Sequence, residues 1–151
     1  MIFSCPDPAL DPHFAAKLLT LQREAYALEA ELIGDDRLPP LQEDDEALAA
    51  PRVQWCTAWE GVDLLGAVSW HEHRDHIDID RVMVSPSVLR RGIASELLAH
   101  VRDDAHGREL VVSTGRANAP AVKLYIKHGF TPVEDEEVPP GIWITRFRSS
   151  S

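Results

Sequence analysis

The stretch Leu89-Arg90-Arg91-Gly92-Ile93-Ala94-Ser95 constrains this chain more than any other. It joins an apolar strand candidate (Val82, Met83, Val84) to an amphipathic helix candidate carrying Ile93, Leu97, Leu98 and Val101. A strand that turns through a basic, glycine-containing loop into a helix leaves several main-chain N–H groups unpaired and aimed one way. The helix dipole, together with Arg90 and Arg91, adds positive potential at the same place. Such a turn is a pyrophosphate cradle. Gly92 has no Cβ and Ala94 a small one, so a phosphate can approach the main chain closely. Close packing of helix on sheet is the plainer explanation for the same two residues. The turn lacks the Gly-Lys-Ser/Thr of a Walker loop and the Gly-x-Gly-x-x-Gly spacing of a dinucleotide fingerprint.

A second segment follows about twenty-five residues on: Asn118-Ala119-Pro120-Ala121-Val122-Lys123-Leu124-Tyr125-Ile126-Lys127-His128-Gly129-Phe130. Together the two segments resemble the GNAT superfamily of acyl-CoA-dependent N-acyltransferases. That family carries Arg/Gln-x-x-Gly-x-Gly/Ala in its first motif, and Asn, Ala, Tyr and Gly-Phe in its second. The strand Ile77–Pro86 looks like the family's fourth strand, and the resemblance runs from about Leu64 to Phe130. Leu89 departs from the pattern, standing where the family has Arg or Gln, so Arg90 or Arg91 must supply that contact.

At 151 residues the chain fits one domain, 1–151, with a full core. No apolar run approaches the ~20 residues that cross a bilayer. The N-terminus lacks the parts of a signal peptide. Cys5 and Cys56 make neither a metal spacing nor a disulfide framework. A reducing cytoplasm is the expected location. The formal charge of -10, with no basic stripe, argues against nucleic acid as a partner and suits a cationic amine, although acidity also simply aids solubility.

The spacing of Phe14, Leu18, Leu21, Ala25, Leu28 and Leu32 predicts one helix face, ended by Gly34. A loop over Asp35–Leu41 and a short helix opened by Glu43-Asp44-Asp45-Glu46 follow. Val53–Trp59, a second strand through Trp70, and Ile77–Val84 read as antiparallel strands. A helix over Arg90–His106 leads to a buried strand, Leu110–Ser113. A helix over Asn118–His128 and a terminal hairpin of Phe130–Val133 with Ile142–Phe147 complete the chain. The strand-helix-strand unit requires parallel strands. The expected fold is therefore α/β, the GNAT fold: a mixed, mostly antiparallel sheet with a central parallel pair and helices on both faces.

The resemblance implies acetyl transfer from acetyl-CoA to a primary amine of a small molecule or peptide, by direct attack in a ternary complex and with no metal. It places the diphosphate on the main chain of Arg91, Gly92, Ile93, Ala94 and Ser95. The pantetheine amides then pair with the main chain of Val82, Met83 and Val84. Asn118 is either a helix N-cap or a cofactor contact, and the two roles are compatible. The resemblance makes Tyr125 the proton donor to the leaving thiolate; a phenol near pKa ~10 matches a thiol near ~8.5. The alternative is a core aromatic. Removing a proton from an alkylammonium near pKa ~10.4 at neutral pH costs ~4–5 kcal/mol without a base. Asp78 matches the position of the glutamate that some family members use, with Asp80 on the same strand face. A solvated acidic strand edge explains the pair equally well.

The run His71-Glu72-His73-Arg74-Asp75-His76 suits a polar hairpin tip better than a metal site, and His73 or His76 is a minor alternative base. Rival functions are use of another acyl-CoA, or a non-catalytic acyl-CoA-binding or regulatory module. The sequence leaves the amine and the oligomeric state open, a homodimer included.

Overall fold

The computed structural model describes residues 1–5, 11–34, 53–139 and 141–149. The Asp35–Leu41 loop and the Glu43-Asp44-Asp45-Glu46 segment lie outside the described residues. In chain order the elements are β1 (Ile2–Ser4), α1 (Pro12–Ile33), β2 (Val53–Glu60), β3 (Asp63–Glu72), β4 (His76–Val84) and a 3-10 turn (Pro86–Val88). They continue with α2 (Ile93–Ala105), β5 (Glu109–Gly115), α3 (Ala119–Lys127), β6 (Thr131–Val138) and β7 (Ile142–Ser149). All seven strands join one sheet in the order β1-β2-β3-β4-β5-β7-β6. Among the described strands only β4 and β5 run parallel, because α2 carries the chain back across the sheet between them. The expected mixed sheet is therefore present. The short β1, which the sequence reading did not anticipate, pairs with β2.

Helices cover both faces. Leu97, Leu98 and Val101 of α2 pack on Val68, Ile77, Ile79, Leu110 and Val112, and Tyr125 of α3 joins the same core. On the other face, Phe14, Leu18 and Leu21 of α1 meet Trp55, Ala67 and Met83. Gly66 lets α2 come close: a Cβ there would lie 2.8 Å from Ile93 Cγ2 and 3.1 Å from the Met83 carbonyl oxygen.

Several boundaries differ from expectation for local reasons. The α2 helix starts at Ile93 rather than Arg90 because Arg90 (φ 68°) and Gly92 (φ 77°) are both left-handed. At the start of α1, the Asp11 carboxylate accepts from the N–H groups of His13 (3.0 Å) and Phe14 (3.2 Å). Its end at left-handed Gly34 is as expected. The predicted apolar face turns partway along α1, however. Leu32 is 45% exposed, and after Leu21 the inward seam follows buried Gln22, half-buried Tyr26 and buried Ala30. Steps of four rather than alternating threes and fours carry that seam around the helix.

Strand β6 runs well past the expected Val133, through the acidic stretch Glu134–Glu137. Arg146 on the neighbouring β7 bonds Glu136 and pairs with Glu134 at 3.4 Å, which offsets the poor strand propensity of acidic residues.

The feature that creates a site lies at the sheet's centre. The β4–β5 ladder runs from His76↔Glu109 to Ile79↔Val112 and stops there. Beyond it, β4 pairs only with β3, as far as Val84↔Gly66, and β5 only with β7, as far as Gly115↔Ile144. Asp80 is an extra residue in the β3–β4 register, since Ser69 pairs with Arg81 and Trp70 with Ile79. That bulge bends β4 at the point where the ladder ends. The two parallel strands therefore diverge in a wedge.

Candidate active site

At the open end of the wedge, β4 leads through the 3-10 turn into the Leu89–Ser95 turn. Arg90 and Gly92 both adopt positive φ. Left-handed residues alternating with ordinary ones turn successive N–H groups inward, forming an anion-binding concavity. A Cβ on Gly92 would meet no heavy atom within 4 Å, so the space over the turn is open. No side chain caps the N-terminus of α2, and its first N–H groups are left to a ligand or solvent. Arg91 is salt-bridged to Glu60 at 2.9 Å, and this pairing holds the Glu60 carboxyl below its usual range. The pair is exposed, so turning Arg91 toward a phosphate costs little. The Ser95 hydroxyl is hydrogen-bonded to His128 Nε2 at 2.8 Å, which ties the start of α2 to the end of α3. Burial, with Lys127 and Arg102 nearby, lowers the His128 pKa.

Behind this turn lie Val82, Met83 and Val84. Met83 packs under α1, while Val82 and Val84 pack toward α2. On the β5 side their main chain has no strand partner among the described residues. An extended amide-bearing ligand fits such an edge as an added strand.

Polar side chains line the wedge from the α1 side. Gln22, Tyr26 and Glu29 recur at spacings of four and three along one helix face. Gln22, fully buried, accepts a hydrogen bond from the Arg81 guanidinium. Tyr26 is within electrostatic reach of Glu29, Arg81, Tyr125 and Asp80. The polar groups of Asn118, Gly115 and Thr114 act on Glu29 in favour of its charged form. Burial outweighs them and raises the Glu29 carboxyl above the ordinary range. Asn118 has the N-cap role: its Oδ1 caps α3 by accepting from Ala121 N–H at 3.3 Å.

Tyr125 is 4% exposed, with ring centroids 5.6 Å from both Phe130 and Phe147. Burial and the Glu29 charge push its phenol well above the ordinary range. The sequence-level match between an unperturbed phenol and a thiol therefore does not hold for the free protein. It is restored only if the same dry surroundings raise the thiol as well.

The two expected aspartates occupy different surroundings. Asp80 accepts from the Ser69 hydroxyl at 3.3 Å and pairs with Arg81 Nε at 3.2 Å, which puts it beside Tyr26. Asp78 lies earlier on β4, opposite Val111, where it lines a shallow pocket of about 230 Å³ with Glu109, Ser113, Arg146 and Arg148. The histidine run forms the β3–β4 hairpin tip: His73 stacks on His76 at 4.3 Å, and His76 Nδ1 meets Asp75 at 2.7 Å. Among the described residues no three potential metal ligands cluster.

The structure thus gathers Asp80, Arg81, Tyr26, Glu29, Thr114, Asn118 and Tyr125 around the wedge. Gln22, Tyr26 and Glu29 were missed by sequence reasoning. Their four-and-three spacing was there to be read, but polar residues flanking an apolar helix face usually mark the solvent side.

Comparison with known proteins adds the following. The model of the acetyltransferase (GNAT) family matches residues 16–130. The chain is 32% identical over 134 residues to UPF0157 protein YqkA of Bacillus subtilis (strain 168), covering 88% of this chain and 39% of that protein. It is 35% identical over 91 residues to the uncharacterized N-acetyltransferase YsnE of the same organism, covering 56% of this chain and 60% of that protein. It thus spans from about two fifths to three fifths of the length of these relatives. A crystal structure of an aminoglycoside 6'-N-acetyltransferase complexed with coenzyme A superposes with a TM-score of 0.77. That match has 14% identity and covers 99% of this chain and 97% of the other.

Proposed function

The chain belongs to the acetyltransferase (GNAT) family, and on that footing we propose that it transfers an acetyl group from acetyl-CoA to a primary amine by direct attack in a ternary complex. The observation that carries this reading is the end of the β4–β5 ladder at Ile79↔Val112, beside an open, left-handed turn at the head of α2. A long thioester cofactor needs both features. Its diphosphate is received by the Arg91–Ser95 main chain, with Arg90 and Arg91 as counter-charges. Its pantetheine arm pairs with Val82, Met83 and Val84, and one of these N–H groups donates to the thioester oxygen as negative charge builds there.

Tyr125 protonates the departing thiolate. On the acceptor side the favoured carboxylate is Asp80, where the β4–β5 ladder ends; Asp78 lies within the ladder, in the pocket it shares with Glu109, Arg146 and Arg148. Direct attack is favoured over an acyl-enzyme because burial pushes the Cys56 thiol up to about 12, leaving it a poor nucleophile, and Cys5 is exposed in the opening residues of the chain. The aminoglycoside enzyme of like fold works on an amine, which supports the same class of acceptor here: a small molecule or a peptide. A cytoplasmic location belongs to the same reading.

The test is acetyl-CoA with a panel of amines (kanamycin, spermidine, and a short peptide beginning with alanine), following free thiol. Amine-dependent thiol release supports transfer. Faster release from propionyl- or succinyl-CoA reassigns the donor. Tight CoA binding with no release for any amine points to a non-catalytic binding module.

A further inference from the structure

Cys5 and Cys56 lie far apart in the chain and take no part in the reading above, yet the sheet brings their positions together. Strands β1 and β2 are antiparallel, with Phe3 opposite Ala58 and Ser4 opposite Thr57. Successive side chains alternate between the faces of a sheet, and residues directly opposite share a face. Contacts on both sides of this pair fix which face is which. Phe3 packs on the core beneath α2 that holds Cys56 and Ala58, and its ring meets that of His100 on α2 with centroids 4.9 Å apart. Ser4 and Thr57 meet on the opposite face, their hydroxyl oxygens 3.0 Å apart, where the Trp59 indole donates to Thr57 at 2.8 Å. The Thr57 hydroxyl also lies 3.1 Å from the Ser4 carbonyl oxygen, which clamps the last paired position of β1.

One residue further along, Cys5 follows Ser4 and Cys56 precedes Thr57. Alternation returns both to the α2 face, one opposite the other. Opposite residues of an antiparallel pair have Cα atoms about 4.5–5.5 Å apart. A disulfide spans about 4.4–6.8 Å between Cα atoms, so the backbone is already spaced for one. The Cys5 side chain is also within electrostatic reach of the Cys56 thiol.

The two thiols differ in access. Cys5 is exposed, whereas Cys56 is buried among the side chains under α2. A reagent in solution meets Cys5 first, and Cys56 is met from Cys5.

We infer that Cys5 and Cys56 form a modification site: a dithiol that a small disulfide from solution closes into a cross-strand bond between β1 and β2. The step balances as follows. The Cys5 thiolate attacks one sulfur of the small disulfide, a mixed disulfide forms on Cys5, and one small thiol leaves. The Cys56 thiolate then attacks Cys5 Sγ, the protein disulfide forms, and the second small thiol leaves. The protein gives up two electrons and two protons, and the small disulfide takes them up as two thiols. Burial pushes the Cys56 thiol up to about 12, so closure is slow at neutral pH and quickens as pH rises.

The bond has a clear structural effect. Strand β1 has three residues and lies at the sheet's edge, with β2 as its neighbour. A link from Cys5 to Cys56 fastens this edge and closes a loop of about fifty residues that includes all of α1. Neither cysteine belongs to the cofactor turn or the wedge, so CoA affinity should not change on closure.

The experiment exposes full-length wild type, Cys5→Ser and Cys56→Ser to oxidised glutathione under native conditions. Intact mass, free thiols titrated in denaturant, and Tm are then measured. Wild type should remain monomeric, lose two hydrogens, keep no free thiol, and gain about 5–15 °C in Tm. Dithiothreitol should reverse all of these changes. Cys56→Ser should stop with one glutathione on Cys5, and Cys5→Ser should gain neither an adduct nor a Tm shift. Cys56→Ala, which keeps a small apolar side chain in the core, carries the test if Cys56→Ser fails to fold. Wild type that retains glutathione on Cys5 beside a free Cys56 overturns the assignment. So does a disulfide-linked dimer, or a closed form whose Tm does not exceed that of the reduced protein. Each readout is a mass, a thiol or a temperature, so the result stands apart from the acetyl-transfer reading.

Discussion

Substitution at Gly92 separates the backbone role of the cofactor turn from its role toward a phosphate. In Gly92→Ala the new Cβ meets no heavy atom within 4 Å, so packing is unaffected. The φ of 77° is the remaining cost. An L-residue held in the left-handed region loses about 1–2 kcal/mol, and the stiffer unfolded chain returns about 0.4–1 kcal/mol. The net is about 1 kcal/mol, or a Tm lower by about 2–4 °C for a chain of this size.

Gly92→Glu carries the same backbone cost and adds a carboxylate over the cradle. Two like charges about 4 Å apart repel by about 1–4 kcal/mol at effective dielectrics between 80 and 20. CoA affinity should therefore fall about 5- to 1,000-fold below that of Gly92→Ala. The gap should narrow between 0.05 and 0.5 M salt as screening shortens. Thermal denaturation gives the first quantity and calorimetric titration with CoA the second. If the two variants share one Tm but also bind CoA within twofold of each other at low salt, no phosphate lies over this turn.

Gly66→Ala should destabilise by about 1–3 kcal/mol through overpacking on Ile93 and Leu97. Combined with Ile93→Ala in a denaturation cycle, the two effects should be strongly non-additive, and additivity would remove the clash as their cause. Tyr125→Phe keeps both ring contacts and should lower kcat by about 10²–10⁴-fold; a loss under threefold makes Tyr125 a core aromatic. The last prediction concerns Glu29 and stability. Its folded pKa lies above the unfolded value near ~4.3, so its contribution is complete below that pH and is lost as pH rises through the folded pKa. Wild type should lose stability relative to Glu29→Gln between pH 4 and pH 8, and a constant difference in denaturation midpoints across that range refutes this.

Local rules made much of the molecule readable from its residues. Gly34 after α1 and Asn118 before Ala119-Pro120 are capping signals that do not depend on the rest of the fold. The turn at Gly92 followed from glycine and helix-end chemistry alone. What escaped needed pairs of elements. Strand β6 is acidic, and it becomes a strand because Arg146 stands opposite. The bulge at Asp80 exists only as a register against β3. Glu29 is separated from Asn118 by 89 positions in the chain, and its polarity in an amphipathic helix says nothing of the burial that raises its carboxyl.

The sheet can also be regarded as two leaves. One holds β1 to β4 and leads into the α2 turn; the other holds β5, β7 and β6 and leads into α3. Within the sheet they are stitched by the pairs from His76↔Glu109 to Ile79↔Val112 alone. The groups assigned to the thioester oxygen belong to the first leaf, and Tyr125 belongs to the second. The angle at that stitching therefore sets the spacing between the two halves of the proposed catalytic apparatus. Ile77, Ile79, Leu110 and Val112, all buried, become the places where exchange of one methyl group can retune the proposed activity from a distance.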